Sequence, residues 1–148
     1  MNGVILMVED EPQDAILVQR QLAHSGLKHD LRIVETGQEA IDYLSGTGQY
    51  SDRQAFPEPR LLILDLKMPG IDGFDLVQWV RHNPHTSELP IIIYSGSISA
   101  DDAQRAYALG ANAYFAKLTG PGHYNLLFTA IEEFCARGSE SHANEKQH

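Results

Sequence analysis

Runs of consecutive apolar residues alternate with segments whose apolar positions recur at helical spacing, and this alternation repeats five times along the chain. The apolar runs predict buried strands, and the amphipathic segments between them predict helices. The five predicted strands cover residues 4–8, 30–35, 61–65, 89–95 and 111–117. Strands that alternate with helices form a parallel sheet covered on both faces, and right-handed crossovers leave few topologies. The pattern therefore predicts an α/β fold with a doubly wound parallel sheet.

Polar and conformationally special residues mark the ends of the predicted helices. The signals are Pro12 in the first turn of the first helix, a capping box of Thr36 and Glu39 before the second, N-caps at Asp72 and Ser99, and a left-handed C-cap at Gly110. Residues 46–60 show no clear period and predict a surface loop or a ragged helix end. The last helix is predicted over residues 122–136. Residues 1–137 are thus predicted to form the domain, and residues 138–148 a polar tail.

Composition narrows the class of protein. A chain of 148 residues with 43% hydrophobic content suits one domain with a packed core. The formal net charge of -9 opposes binding to nucleic acid or to an anionic membrane surface, so neither is expected as a partner. Cys135 is the only cysteine, which excludes an internal disulfide, and the apolar run at residues 4–8 is too short for a signal or membrane segment. A cytoplasmic protein is expected.

Chemically active side chains stand at the ends of four of the five predicted strands or directly after them. These residues are Glu9 and Asp10, Asp65, Ser95, and Lys117. In open parallel sheets ligands bind outside the carboxyl ends of the strands, so we expect these side chains to meet. Two like charges about 4 Å apart repel by roughly 4 kcal/mol at an effective dielectric near 20, so the acids require a positive partner. Oxygen ligands favour a hard divalent cation, and magnesium needs only one or two direct carboxylates.

Asp65 stands where the apolar run 61–64 ends, in the segment "LLILDLKMPGIDG". A carboxylate held beside a metal, an ammonium and a hydroxyl is suited to accept a phosphoryl group, because these neighbours stabilise the charge on the transferring oxygens. We therefore predict Asp65 as the nucleophile. A tight turn with Gly70 and Gly73 permits the backbone carbonyl of Lys67 to face the metal.

Four segments in this order resemble the receiver domain of two-component response regulators, over residues 3–136. The segments are "VEDEP", "DLKMPGIDG", "YSGS" and "AYFAK". The resemblance implies a flavodoxin-like sheet of five strands in the order 2-1-3-4-5. It also implies phosphorylation of Asp65 by a partner histidine kinase or its phosphotransfer protein.

The resemblance assigns a role to each site residue. Asp10 and Asp65 would bind magnesium directly, Glu9 through water, and Lys67 through its carbonyl. Ser95 and Lys117 would hold the phosphoryl oxygens. Tyr114 occupies the position of the switching aromatic residue, so that phosphorylation would shift the population of a surface formed by the fourth helix, fifth strand and fifth helix.

The chain departs from the family at two positions. Glu9 replaces the commoner aspartate, which is compatible with water-mediated coordination. Leu118 stands where many relatives have proline, often with a cis peptide, so either a trans bond or visible strain is expected after Lys117. The way in which Lys117 is aimed is left open by the sequence.

Because no output domain follows the fifth helix, we expect a stand-alone receiver. The Glu-Asp pair and the long segment at 46–60 look most like the small regulators partnered with phytochrome-type light-sensing kinases. Some members of that group form homodimers through the fourth helix to fifth helix face, and a homodimer is expected here.

Two other classes of function compete with this interpretation. One is a magnesium-dependent phosphatase or phosphotransferase, but Lys67 stands where its second acid would be needed. The other is a phosphorylation-independent adaptor with a vestigial site. We expect no enzyme beyond self-catalysed phosphorylation and dephosphorylation. Lys67 and Ser97 should flank the path of attacking water, and neither is an acid or amide, so slow dephosphorylation is predicted.

Overall fold

The computed structural model describes the backbone of residues 3–117 and 123–146 and the side chains of residues 3–117 and 124–136. Five parallel strands form one sheet in the order β2-β1-β3-β4-β5. The strands are β1 (Val4–Val8), β2 (Asp30–Val34), β3 (Leu61–Leu64), β4 (Ile91–Ser95) and β5 (Ala113–Ala116). The predicted doubly wound sheet and its strand order are confirmed.

Five α-helices connect and cover the strands. They are α1 (Pro12–His24), α2 (Gly37–Ser45), α3 (Gly73–His82), α4 (Ala100–Leu109) and α5 (His123–Lys146). The prediction that the last helix ends at Ala136 is wrong, because α5 continues to Lys146. No proline follows Gly138, and alanine, glutamate and lysine favour helix, so the polar composition alone does not end it. A domain boundary at residue 137 stays a prediction.

The central strands are apolar runs because both faces of the sheet are covered. Alternate side chains of a strand point to opposite faces, so each strand supplies two separate cores. Leu6 and Leu62 pack into a core with residues of α2, α3 and α4. Ile5 and Ile63 pack into a second core with residues of α1 and α5. Because both faces of β1 and β3 are buried, the positions at which these strands end are well defined. The positions of the polar residues that follow them are therefore defined as well.

The helix caps form largely as predicted. The side chains of Thr36, Asp72 and Ser99 each accept a hydrogen bond from the backbone N–H three residues later. Gly110 adopts the left-handed conformation, with φ of 119°. The capping box differs in one detail, because the Glu39 carboxylate accepts from the N–H of Glu35, one residue before the cap.

The segment at residues 46–60 is more ordered than a plain surface loop. It contains a 3-10 turn at Gly48–Tyr50, and Tyr50 is buried. The Tyr50 ring lies 5.0 Å from that of Tyr43 and 5.1 Å from that of Phe56. Arg53 donates hydrogen bonds to the carbonyls of Tyr43 and Leu44, at the carboxyl end of α2. Those bonds satisfy carbonyl groups that have no partner within the helix.

Within the described part of the chain, we find no helix that combines the length and the apolarity needed to cross a membrane.

Candidate functional site

The carboxyl ends of β1, β3, β4 and β5 meet at one edge of the sheet. Val8 is paired with Leu64, and Leu64 with Ile93, so the three central strands end at nearly the same level. The Lys117 backbone N–H donates to the Ser95 carbonyl at 2.7 Å, which ties the end of β5 to β4. This register places the polar residues that follow the strands around one basin.

Three carboxylates converge there, as the sequence predicts. One oxygen atom each from Glu9, Asp10 and Asp65 can be chosen so that all three lie within 4.8 Å of one another. Glu9 is 2% exposed and Asp65 is 7% exposed, whereas Asp10 is half-buried. Such a cluster of oxygen donors matches the ligand chemistry of magnesium or manganese.

Lys117 extends its ammonium group into this cluster. Its Nζ lies 2.8 Å from Asp65 Oδ2 and 2.5 Å from Glu9 Oε1. A third carboxylate, Asp14 in the first turn of α1, accepts a hydrogen bond from the same Nζ at 2.9 Å. Burial lowers the pKa of Lys117, but the contacts with the carboxylates outweigh that effect and hold the pKa above its ordinary value. The ammonium is therefore charged at neutral pH.

Glu9 is the most deeply buried acid of the cluster. Burial raises the pKa of its carboxyl, although the contacts with Lys117 act in the opposite direction. Its Oε2 atom accepts from the N–H of Glu11 at 3.2 Å. Among the residues that the structure describes, its buried Oε1 atom forms the ion pair with Lys117 but no contact with the angles of a hydrogen bond. A buried acceptor in this condition, inside a cluster whose acids outnumber its cations, fits a bound divalent cation.

The turn after Asp65 holds the carboxylate in place. Asp65 Oδ1 accepts from the N–H of Lys67 at 3.2 Å. Gly70 has φ of 77°, which favours glycine. A Cβ atom on Gly73 would lie 2.6 Å from the Cα of Leu66, so only glycine fits beneath the turn. That the Lys67 carbonyl contacts a metal stays a prediction.

An open cleft of about 500 Å³ lies beside the acids. Asp10 and the turn residues Leu66, Lys67, Met68 and Pro69 line it, together with Asp72, Phe74 and Asp102. The acidic cluster is therefore accessible from solvent on the side of α3 and α4.

Ser95 and Tyr114 are joined through the loop between β4 and α4. Ser95 is fully buried, and its Oγ accepts from the N–H of Ser97 at 3.3 Å. The Tyr114 hydroxyl donates to the Ser97 carbonyl at 2.8 Å. The Ser97 Oγ donates to Asp102 Oδ2 at 2.7 Å. The expectation for the Lys117-Leu118 peptide lies outside the described residues.

Asp14 is the site residue that sequence reasoning missed. It is the third residue of α1 and lies four residues after Asp10, which precedes the helix. A carboxylate in the first turn of the helix that begins beside the acidic pair is the signal that the sequence offers for it.

Comparisons with known proteins agree with this geometry. The response regulator receiver domain family matches residues 5–128. The chain is 35% identical over 131 residues to response regulator Rcp1 of Synechocystis sp., covering 88% of this chain and 87% of Rcp1. The Mn²⁺-bound form of Rcp1 has a TM-score of 0.76 at 32% identity, covering 89% of this chain and 93% of that one.

Two further solved structures are similar. Response regulator RPA3017, in red light signaling of R. palustris, has a TM-score of 0.82 at 31% identity, covering 89% of this chain and 92% of that one. The phosphorylated cyanobacterial phytochrome response regulator RcpA has a TM-score of 0.78 at 32% identity, covering 92% and 95%. The chain is thus similar to phytochrome response regulators. It belongs to the response regulator receiver domain family.

Proposed function

We propose that this protein is a single-domain response regulator that accepts a phosphoryl group on Asp65 from a partner histidine kinase, in a magnesium-dependent reaction. The observation that carries the proposal is the contact of Asp65 with Lys117 inside the cluster of Glu9, Asp10 and Asp65. Burial of the carboxylate, with a cation on one side and further acids on the other, supports a role in nucleophilic attack over that of a surface ion pair.

In the proposed reaction an Asp65 oxygen forms a bond to phosphorus while the P–N bond of a phosphohistidine donor breaks. The electron pair of that bond leaves with the imidazole nitrogen, which takes up a proton. The Lys117 ammonium offsets the negative charge of the phosphoryl oxygens. Ser95 Oγ already accepts from Ser97, so its own O–H is available to donate to one of these oxygens.

Glu9, Asp10 and Asp65, with the Lys67 carbonyl, would hold the magnesium ion. When bound, the ion neutralises charge on the phosphoryl oxygens and fixes their orientation. The Mn²⁺-bound form of Rcp1 supports this assignment, because manganese and magnesium accept the same oxygen ligands.

The kinase is proposed to be of the phytochrome type, and a phosphotransfer protein is the alternative donor. The similarity to RcpA and to RPA3017 supports the phytochrome partner.

Phosphorylation would then act through the surface of α4, β5 and α5, which carries the exposed side chains of Tyr107 and Leu126. A partner protein or a second copy of this chain would bind that surface, with no role for nucleic acid or membrane, in the cytoplasm.

The test is phosphorylation by acetyl phosphate and magnesium, followed by intact mass. Wild type and Asp101→Asn, an exposed acid outside the site, should each gain one phosphate, whereas Asp65→Asn should gain none. Removal of magnesium by EDTA should abolish the adduct. A phosphate on Asp65→Asn, or a wild type that stays unmodified, would overturn the proposal.

A further inference from the structure

Asp14 is a carboxylate partner of Lys117 that lies outside the acidic cluster of Glu9, Asp10 and Asp65. It is the third residue of α1, and its Oδ2 accepts from Lys117 Nζ at 2.9 Å. Its side chain is 37% exposed, against 0% for Glu9 and 9% for Asp65. Asp14 therefore holds the ammonium from the solvent side, while the other two acids hold it from inside.

The number of N–H donors on the Lys117 ammonium explains why the contact with Asp14 matters. An ammonium group has three N–H donors and no acceptor. Two of those of Lys117 donate to Asp65 and Asp14, and Glu9 forms an ion pair with the same nitrogen. Formation of the acyl phosphate on Asp65 removes the charge of that carboxylate. The N–H that faces Asp65 is then the one that turns to a phosphoryl oxygen.

During that exchange Lys117 keeps two anchors, Glu9 and Asp14. Glu9 also belongs to the acidic cluster, where a bound cation would compete with Lys117 for the same carboxylate. Among the described residues, Asp14 has Lys117 as its side-chain hydrogen-bond partner and belongs to no metal-competent group. Asp14 is thus the anchor that metal binding and phosphorylation leave in place.

We infer that Asp14 is a positioning residue for phosphoryl transfer, which keeps the Lys117 ammonium over the acceptor as its bond to Asp65 is exchanged for a bond to the phosphoryl group. The inference rests on the proposed function. Lysine has a flexible four-carbon stem, so a fixed anchor on a rigid helix reduces the freedom that the transition state would otherwise have to remove.

Asp14 could also affect phosphorylation in two simpler ways, which have to be distinguished from the positioning of Lys117. An acidic residue in the first turn stabilises α1 through the helix dipole. Its negative charge also repels an anionic phosphodonor. Neither effect requires Lys117, whereas positioning does, so a double-mutant cycle distinguishes them.

The experiment uses Asp14→Ala and Asp14→Asn, each in the wild type and in the Lys117→Met background. The phosphorylation rate constant is measured by intact mass with saturating phosphoramidate and magnesium. Asp14→Ala should lower it about tenfold, and Asp14→Asn, which keeps an oxygen acceptor, should retain most of it. In the Lys117→Met background neither substitution should have a further effect.

A second measurement does not depend on phosphorylation. A pulse of acetic anhydride with peptide mass spectrometry reports how accessible Lys117 is, with the exposed Lys28 as reference. Asp14→Ala should raise the labelling rate of Lys117 several-fold and leave that of Lys28 unchanged.

Three outcomes would overturn the inference alone: an unchanged or faster phosphorylation of Asp14→Ala, an equal loss in the Lys117→Met background, or unchanged labelling of Lys117. Each of them leaves a wild type that is phosphorylated on Asp65. A wild type that takes no phosphate overturns the proposed function, and the inference with it.

Discussion

The hydroxyl of Tyr114 on β5 donates a hydrogen bond of 2.8 Å to the backbone carbonyl of Ser97. The N–H of Ser97 in turn donates to the Oγ of Ser95 at 3.3 Å. One loop residue therefore joins the aromatic ring to the hydroxyl that we propose as a phosphoryl contact. A movement of the Ser95 Oγ toward Asp65 would therefore either break its bond with the Ser97 N–H or carry Ser97, the partner of Tyr114, along with it.

Replacing Tyr114 by phenylalanine removes this bond and keeps the ring. We expect the free energy of unfolding to fall by about 1 kcal/mol, because the Ser97 carbonyl loses a partly buried donor. Urea titration followed by circular dichroism measures the difference. The control is Tyr107→Phe on α4, where the tyrosine is 49% exposed and the change should stay within about 0.5 kcal/mol. Equal effects of the two substitutions would contradict the interpretation.

Gly73 is the residue on which the turn after Asp65 packs. In Gly73→Ala the new Cβ would lie 2.6 Å from Leu66 Cα, and backbone atoms cannot move aside as a flexible side chain can. We expect a loss of more than about 2 kcal/mol in the free energy of unfolding, as for other overpacked sites. Thermal and urea unfolding check it.

Gly96 provides the matched control for this substitution. A Cβ atom there would have no neighbour within 4 Å, and no unusual φ is found at this exposed residue. Gly96→Ala should leave stability unchanged or raise it by up to about 1 kcal/mol, because alanine restricts the unfolded chain. A Gly73→Ala variant as stable as Gly96→Ala would show that the turn adapts freely.

The strands and the polar residues at their carboxyl ends could be predicted, because a strand buried on both faces requires a run of consecutive apolar residues. Leu61 to Leu64 must be apolar, so Asp65 stands out at the point where the core ends. Parallel pairing then brings Glu9, Asp65 and Lys117 together without further information. Local chemistry likewise predicted the caps, because a cap and its partner lie three residues apart.

Contacts between residues far apart in the sequence could not be predicted in this way, because they produce no local pattern. The Asp14 contact with Lys117 joins residues 103 positions apart, and an acid in the first turn of a helix has an ordinary explanation in the helix dipole. The packing of Tyr50 and Phe56 depends on the position of Arg53 against the end of α2, which no local period encodes. These features result from tertiary contacts that override local composition.

Magnesium should stabilise the folded protein, because the proposed ligands converge only in the folded state. At a magnesium concentration about 100 times the dissociation constant, linkage predicts roughly 2.7 kcal/mol of added stability. Thermal unfolding with magnesium or with EDTA measures the shift. Asp10→Asn should lose most of it, whereas Asp101→Asn, an exposed acid on α4, should keep it. A shift of equal size in Asp10→Asn would place the cation elsewhere.

Cys135 should be unreactive in the folded protein. Burial among the side chains of α5 and the sheet raises the pKa of its thiol to about 11, from an ordinary 9.0. At pH 8 the thiolate is therefore scarce, and reaction with Ellman's reagent should be much slower than in the urea-unfolded chain.

The same shift has a consequence for stability. Between pH 9 and about 11 the unfolded thiol loses its proton while the folded thiol keeps it, so the raised pKa of Cys135 makes stability fall as the pH rises through that range. Cys135→Ser should show a smaller fall over the same range. Rapid labelling of native wild type at pH 8 would contradict the burial.

A phosphoryl group on Asp65, once formed, should be long-lived. The Ser97 Oγ donates to Asp102 at 2.7 Å, so this hydroxyl is directed toward α4 and not toward a water beside Asp65. Lys67, on the other side, is exposed, and its side chain offers N–H donors and no acceptor for an attacking water. Neither side chain therefore activates water for attack on phosphorus.

The lifetime is measured by intact mass after the phosphodonor is removed. Wild type should lose phosphate over minutes to hours in the presence of magnesium. Lys67→Asn places an amide, which can both donate to and accept from water, beside the phosphoryl group, and it should shorten the lifetime. Loss from wild type within seconds would mean that another group orients the water. In that case Asp102→Ala, which frees the Ser97 hydroxyl, would identify whether Ser97 is that group.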